Sequence, residues 1–377
     1  MAIDRLFLLM KEKAASDMFF AVNAPIQIKI DGILYPINQQ KMDQAMILNL
    51  LAEVVPTDRM EELERDNELN IGIPVTGVGS FRLSAFRQRG SISAVLRYIP
   101  SHIPDLLEAR LPPLLAELIM ERRGLILVVG STGSGKSTTI ASMLDHRNEM
   151  SSGHILTLED PIEFLFRNKK SIVNQREIGN DSASLALALK NALRQAPDCI
   201  LIGEIRDKDT MSAALAYAQS GHLVVATLHA NNSYQALNRI VNFFPLESRQ
   251  ALLPDLAATL KAVISQRLIA AIDGGRRAAV EIMLNTRHVA ELIEKGELGQ
   301  IKEAIEKSMA PGSQTFEQAL LQMILDKVIT KEEGMSHADS ATNLFWLLNN
   351  RAEKTLEAAP TLPSDDGATF TEFTLNV

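Results

Sequence analysis

The sequence predicts an α/β chain in two parts, a small α+β unit followed by a doubly wound sheet that ends in a helical extension. Three observations predict it. Helix signals and short alternating runs, with a hairpin turn, make up residues 1–98. A proline-rich stretch follows. Beyond it, wholly apolar strands alternate with helical segments, the texture of a sheet buried on both faces.

Each element can be justified in order. "MAIDRLFLLMKEKAASD" has an apolar stripe interrupted and flanked by charge, so it reads as an amphipathic helix and not as a signal peptide. "IQIKIDGILYPI" alternates, with Asp31-Gly32 as its hairpin turn. "KMDQAMILNLLAEVV" is an amphipathic helix and "DRMEELERDNELN" a charged, mostly solvated one. "GSFRLSAFRQRGSISAVLRYI" reads as two strands, apolar residues alternating with Arg and Ser. Prolines 100, 104, 112 and 113 then interrupt regular structure and mark residues 99–113 as a linker. From 114 to 285 strands "LILVVG", "HILTLE", "CILIGE" and "HLVVATLH" alternate with helices, including a long one around "SLALALKNALRQA". Residues 286–355 read as helices only, and the Pro-, Asp- and Thr-rich stretch 356–377 as a disordered tail. No internal repeat is visible.

The bulk numbers narrow the function classes. A chain of 377 residues, 46% hydrophobic and 22% charged, is long enough for two or three domains with a sizeable core. No apolar run is long enough to cross a bilayer. The single cysteine, Cys199, excludes an intramolecular disulfide framework and a multi-cysteine zinc site, so a reducing cytoplasm is expected. A net charge of −8, and a single Trp that lies beyond the sheet, argue against a nucleic-acid translocase, which needs a basic, aromatic-bearing channel.

The chemistry is carried by "LILVVGSTGSGKSTTIASML". Gly130 to Ser137 fit G-x-x-x-x-G-K-[ST], with an apolar strand before and a helix former run after. Glycines let the backbone curl so that successive N–H groups point inward, and the helix N-terminus adds to their attraction for phosphates. Ser131, Thr132, Gly133, Ser134, Gly135, Lys136, Ser137 and Thr138 are therefore the expected nucleotide-binding residues. Lys136 would reach the β- and γ-phosphates of ATP, and the Ser137 hydroxyl would ligate Mg2+.

Further acids and histidines fall at the C-terminal ends of expected strands, the edge where open α/β sheets bind ligands. In "PDCILIGEIRD" a glycine ends the strand and Glu204 follows. Glu204 is expected to hold Mg2+ through a water; the competing role is a cap or salt bridge for the next helix. "LTLEDPIEF" gathers Glu159, Asp160 and Glu163. Hydrolysis needs a base to orient the attacking water, and Glu163 is the choice, with Glu159 behind it; a plain Asp-Pro turn is the alternative. His222 and His229 bound one strand and lie too far apart to share a phosphate. His229, at the C-terminal end, is expected to sense the γ-phosphate, and His222 to pack or hydrogen-bond at a subunit or domain contact.

Together "GSTGSGKSTT", "TLEDPIEF", "LIGEIRD" and "GHLVVATLHANNS" resemble the Walker A, Asp box, atypical Walker B and His box of the secretion ATPase superfamily. More narrowly, the chain is similar to the PilT/PilU family of twitching-motility ATPases, which retract type IV pili, over residues 1 to about 350. The resemblance implies a cytoplasmic homohexamer whose subunits pair a PAS-like N-terminal domain with a RecA-like ATPase domain, the two rotating as ATP is cleaved. It implies that Glu163 is the catalytic glutamate and Glu204 the Walker B glutamate, and that Arg82 and Arg97 close onto the phosphates. The alternative for these arginines is the polar face of two edge strands.

Pilus-assembly and type II secretion ATPases share these motifs but typically carry a long extra N-terminal domain and a four-cysteine zinc insertion; a sequence that opens on the expected PAS-like unit and has only Cys199 is expected to belong to the retraction branch. "NTRHVAELIEKGELGQIKEAI" keeps the apolar spacing of Val289, Leu292 and Ile293 but not the Ala-Ile-Arg-Asn series of the best-known retraction motors. With "ALRQAPD" and the tail, this looks like the PilU-type paralogue. Expected partners are a principal retraction ATPase and an inner-membrane pilus platform protein, with no nucleic acid. The protein would be a retraction motor, peripheral at the inner-membrane base of the pilus, or an accessory ring that supports the principal motor and whose own hydrolysis is dispensable. Core packing is the plain alternative for the Val289 helix.

Overall fold

The computed structural model describes residues 2–357 other than 31, 100 and 101. The tail expected at 356–377 falls outside the described residues from 358 onward.

The first layer is an antiparallel sheet with helices on one face. α1 (Ala2–Glu12) turns Ile3, Phe7 and Met10 inward, one face of a helix at spacings of four and three. Then come β1 (Asp17–Phe20), β2 (Pro25–Ile30) and β3 (Ile33–Lys41). Gly32, between β2 and β3, has φ +84°, a turn conformation that glycine adopts without strain; Asp31 lies outside the described residues. α2 (Gln44–Ala52) is capped by the Asp43 carboxylate, which accepts from the Met46 N–H at 2.8 Å. α3 (Thr57–Asp66) stops at Asn67, in a left-handed conformation, so the charged helix is shorter than expected and Glu68 already begins a strand.

β4 (Glu68–Val75), β5 (Gly79–Gln88) and β6 (Ser91–Ile99) complete a sheet of order β3-β2-β1-β6-β5-β4. Its core centres on Phe7 and Phe81, ring centroids 4.3 Å apart. Full burial of each contributes about 1.5–3 kcal/mol.

The second sheet follows α4 (Leu114–Leu118). Its strands are β7 (Gly124–Val129), β8 (Gly153–Glu159), β9 (Ser171–Glu177), β10 (Cys199–Ile202), β11 (Leu223–Leu228), β12 (Leu260–Ala270) and β13 (Arg276–Leu284). The order is β13-β12-β7-β11-β10-β8-β9, and the pairs of β7 with β11 and β12, of β10 with β8 and β11, and of β8 with β9 are parallel. β7 sits centrally with all six residues buried, as its unbroken apolar run dictates.

Crossover helices are α5 (Lys136–Met150), α6 (Leu185–Ala192), α7 (Lys208–Gln219), α8 (Ser233–Phe243) and α9 (Leu246–Thr259). α6 is shorter than the sequence suggests, because it tightens into a 3-10 turn at Leu193–Gln195 and Ala196 turns left-handed. Side-chain caps start three of them: Ser184 for α6, Asp207 for α7 and Asn232 for α8. Helices α10 (Arg287–Lys295), α11 (Ile301–Glu306), α12 (Phe316–Leu325), α13 (Lys331–His337) and α14 (Ala341–Glu357) end the described chain.

Compactness divides the described residues into those within 2–268 with 280–315, and those within 269–279 with 316–357. The larger unit holds both sheet cores. The smaller one has its own core of Ile269, Ala279, Phe316, Leu320, Leu321, Ile329 and Leu344.

Candidate active site at the edge of the large sheet

The loop between β7 and α5 is built around two glycines that nothing larger can replace. A Cβ on Gly130 (φ +158°) would lie 2.6 Å from the Gln266 carbonyl oxygen, and one on Gly135 (φ +89°) 2.7 Å from Gln266 Nε2. β12 is therefore the floor of the loop. Gln266 is 2% exposed and accepts from Thr139 Oγ1 at 2.7 Å, fixing the first turn of α5 to that floor.

Sequence reasoning missed Gln266. Its signal was a polar pair, Ser265-Gln266, inside an apolar run to which no strand was assigned.

Ser131, Thr132 and Gly133 form the exposed crest of the loop, Ser134 is buried, and Gly135 to Thr138 are half-buried. Ser134 Oγ has no hydrogen-bond partner among the described residues. An orphaned hydroxyl inside a glycine cradle at a helix N-terminus fits a phosphate-bearing ligand. Lys136 Nζ donates to the carbonyl oxygens of Gly130 (2.9 Å) and Ser131 (2.8 Å). Burial pulls its ammonium pKa down, while the charges of Glu204 and Glu163 hold it up. Both acids are thus close enough for their charges to act on the lysine.

Glu204 follows β10, and Gly203 explains its displacement by one position. A Cβ at 203 would lie 3.0 Å from the Leu158 carbonyl oxygen and 3.2 Å from Glu159 Cα. Gly203 N–H donates to Leu158 O at 2.8 Å, and the Thr227 hydroxyl donates to the Gly203 carbonyl. The Glu204 carboxylate takes Arg206 Nε at 2.6 Å and lies 3.2 Å from His229 Nε2. It does not cap the next helix; Asp207 does, accepting from the Thr210 N–H at 2.8 Å, which holds the Asp207 carboxyl below its usual range.

Glu159 ends β8 and is half-buried. Burial pushes its carboxyl pKa up, against hydrogen bonds from Thr157 Oγ1 (2.6 Å) and Gln175 Nε2 (3.2 Å) and one from the backbone of Glu163. β9 holds the loop that follows: Gln175 bonds Phe164 O (2.8 Å) and Phe166 N–H (2.9 Å), and Glu177 accepts from Ile162 N–H at 3.1 Å. Glu163 is exposed on that loop.

His229 follows β11. His222, at the other end, hydrogen-bonds locally through Nδ1 to Ser220 Oγ (3.0 Å) and Tyr217 O (3.2 Å). Cys199 is fully buried at the start of β10, its thiol pushed up to about 12 by burial.

Arg82 and Arg97 belong to the other sheet. They face each other across β5 and β6, interior strands and not the edge strands of the alternative reading. Arg97 Nε pairs with Asp17 Oδ1 at 2.8 Å.

For Mg2+, Ser137 offers one hydroxyl and Glu204 one carboxylate. Among the described residues no group of three or more His, Cys, Asp and Glu side chains forms a metal cage. One hydroxyl and one carboxylate suit an ion that keeps waters and takes further oxygens from a phosphate substrate.

Residues 2–336 match the family described as "Type II/IV secretion system protein". The chain is 43% identical over 354 residues to the type IV pilus ATPase PilU of Pseudomonas aeruginosa, covering 94% of this chain and 93% of that one. It is 37% identical over 343 residues to the type IV pilus retraction ATPase PilT of the same organism, 91% and 100% covered. The crystal structure of the pilus retraction motor PilT with bound ADP superposes with a TM-score of 0.84 at 39% identity, over 90% of this chain and 99% of that one.

Proposed function

Because the chain belongs to the type II/IV secretion system protein family, and within it to the PilT/PilU branch of type IV pilus ATPases, we propose that it works as a hexameric ring that assists pilus retraction beside a principal retraction ATPase. That it is an ATPase related to pilus retraction follows from the family. The hexamer, the partnership and the site roles are our reading. The working segmentation is a PAS-like domain at 1–98, a linker at 99–113, a RecA-like core at 114–285 and helices at 286–355.

The observation that carries the chemistry is the orphaned Ser134 hydroxyl buried in a glycine cradle at a helix N-terminus, beside a lysine on which the charges of Glu204 and Glu163 act. In this reading the N–H groups of 131–136 hold the phosphate oxygens of ATP, and Lys136 exchanges two carbonyl oxygens for phosphate. Ser137, and Glu204 through a water, would hold Mg2+, which would neutralise charge on the phosphates. Glu163 orients the attacking water and accepts its proton as ADP and phosphate separate. His229, tied to Glu204, senses the terminal phosphate. Arg82 and Arg97 stabilise the charge that develops there.

Retraction at the inner-membrane base, against a platform protein, belongs to the same proposal. No described helix is long and apolar enough to cross a membrane, so attachment would run through partners. A standalone motor is the second reading; the greater identity to PilU, 43% against 37% to PilT, favours the partnered one.

Lys136→Ala should lower ATP turnover by about 100-fold or more, as loss of an electrostatic clamp does. Turnover of the purified protein, alone and mixed with the principal motor, separates the readings. Full activity alone contradicts the partnered reading, and unchanged activity of the Lys136 variant contradicts the site.

A further inference from the structure

One buried acid plays no part in that reading. Glu281, on β13, is 2% exposed, and its Oε1 accepts three hydrogen bonds: from Ser233 N–H at 2.8 Å, Ser233 Oγ at 2.7 Å and Ser265 Oγ at 3.0 Å. Ser233 and Ser265 are wholly buried. Ser233 opens α8, directly after the loop His229–Asn232. Ser265 precedes Gln266, the floor of the phosphate loop.

We infer that Glu281 is a positioning residue: it fixes the loop carrying His229 relative to the phosphate loop. The inference rests on the reading that His229 senses the terminal phosphate. Three donors converging on one buried oxygen hold the start of α8 in place, and removing the acceptor would strand the Ser233 N–H and one of the two hydroxyls, which are left only each other at 3.2 Å. A carboxylate at the start of a helix is also favoured by the helix dipole.

Other contacts shape the loop as well: His229 lies 3.2 Å from Glu204, Ala230 packs against the core, and three hydrogen bonds lie nearer solvent. Arg239 bonds His229 O at 3.0 Å, Arg267 bonds Asn231 O at 3.1 Å, and the Asn232 side chain caps Gln235 N–H at 2.9 Å. Glu281 supplies a buried polar tie. From it the path runs through Ser265 and Gln266 to Thr139 at the start of α5. His229 and the phosphate loop are thereby held against the same stretch of β12.

The test uses the full chain under the condition, alone or with the principal motor, that gives wild-type turnover. Glu281→Ala, Glu281→Gln, His229→Ala and the Glu281→Ala/His229→Ala double variant are compared for kcat, KM and affinity for a fluorescent ADP. A misplaced loop should cost Glu281→Ala about tenfold in kcat, with ADP affinity within about twofold of wild type. Glu281→Gln, which still presents a carbonyl oxygen, should keep most of the activity. The double variant should be no worse than His229→Ala.

Multiplicative losses in the double variant, or ADP affinity falling in step with kcat, would overturn the inference, because a general structural role gives that result. A defective His229→Ala beside a fully active Glu281→Ala defeats the inference alone. A fully active His229→Ala defeats the reading of His229, and the inference with it. Should Glu281→Ala not fold, Ser265→Ala removes one donor and leaves both bonds to α8. It should lower kcat by about two- to threefold without adding to His229→Ala, and an additive loss overturns the inference.

Discussion

Burial and charge pull against each other at single residues here, and Glu159 shows it most plainly. Its carboxyl is pushed up by desolvation even though Thr157 and Gln175 donate to it. A carboxyl whose folded pKa lies above its unfolded value favours the folded state below the unfolded pKa and loses that contribution as pH rises through the folded value. Glu159→Gln keeps a carbonyl for both donors and removes the ionisation. The variant should melt at or above wild type at pH 7.5, and its advantage should shrink as pH falls toward 4.5; thermal melts across that range check it. Which residues were legible follows from how local their interactions are. Lys136, Ser137 and Glu204 were found because strand, glycine loop and helix lie consecutively in the chain. Gln266 was not, because its bond to Thr139 spans 127 positions and only the folded sheet brings them together.

The same rule holds for elements. β7, β10 and β11 are buried on both faces, and their unbroken apolar runs announced them. β12 and β13 carry Arg, Gln and Glu within apolar stretches, so their periodicity pointed to no strand, although β12 floors the site. α3 was overextended because its charged run continues into β4, whose pairing with β5 outweighs helix propensity. α10 is the clearest case for a test. Thr286 caps it, Gly296 ends it in a left-handed turn, and Val289, Leu292 and Ile293 enter the main core, while Arg287 and Glu291 pair on the surface. Packing therefore accounts for the apolar face of the helix, and any partner must read its polar face. Leu292→Ala should cost about 2–5 kcal/mol of stability in chemical denaturation. Arg287→Ala should leave stability unchanged, since its ion pair is exposed. If Arg287→Ala nevertheless lowers turnover only in the presence of the principal motor, the polar face is where the two proteins meet.

At the scale of the whole molecule, the proposed cycle requires the six-stranded sheet to lend arginines to a phosphate bound by the other sheet. A row of paired residues prepares for this. Lys29, Asp17, Arg97 and Arg82 are consecutive register partners across β2, β1, β6 and β5. The Asp17 side chain is 9% exposed and that of Arg97 65%, so the acid is fixed in the sheet while the guanidinium stands in solvent with one edge held. Ser16 Oγ bonds the second Asp17 oxygen at 2.9 Å and fixes the acid further. A guanidinium has five donors in a rigid plane and can keep Asp17 on one edge while offering the other to a phosphate; an ammonium is a point charge without that second edge. Arg97→Lys should therefore lose nearly as much turnover as Arg97→Ala, about tenfold or more, despite conserving charge. Asp17→Asn leaves the guanidinium its free edge and should cost less than either. In parallel, fluorescence energy transfer between labels on the two sheets should change with an ATP analogue in the wild type and respond weakly in Arg97→Lys. Wild-type turnover in Arg97→Lys would show that charge alone suffices at this position, and the two-edged role would then have to be abandoned.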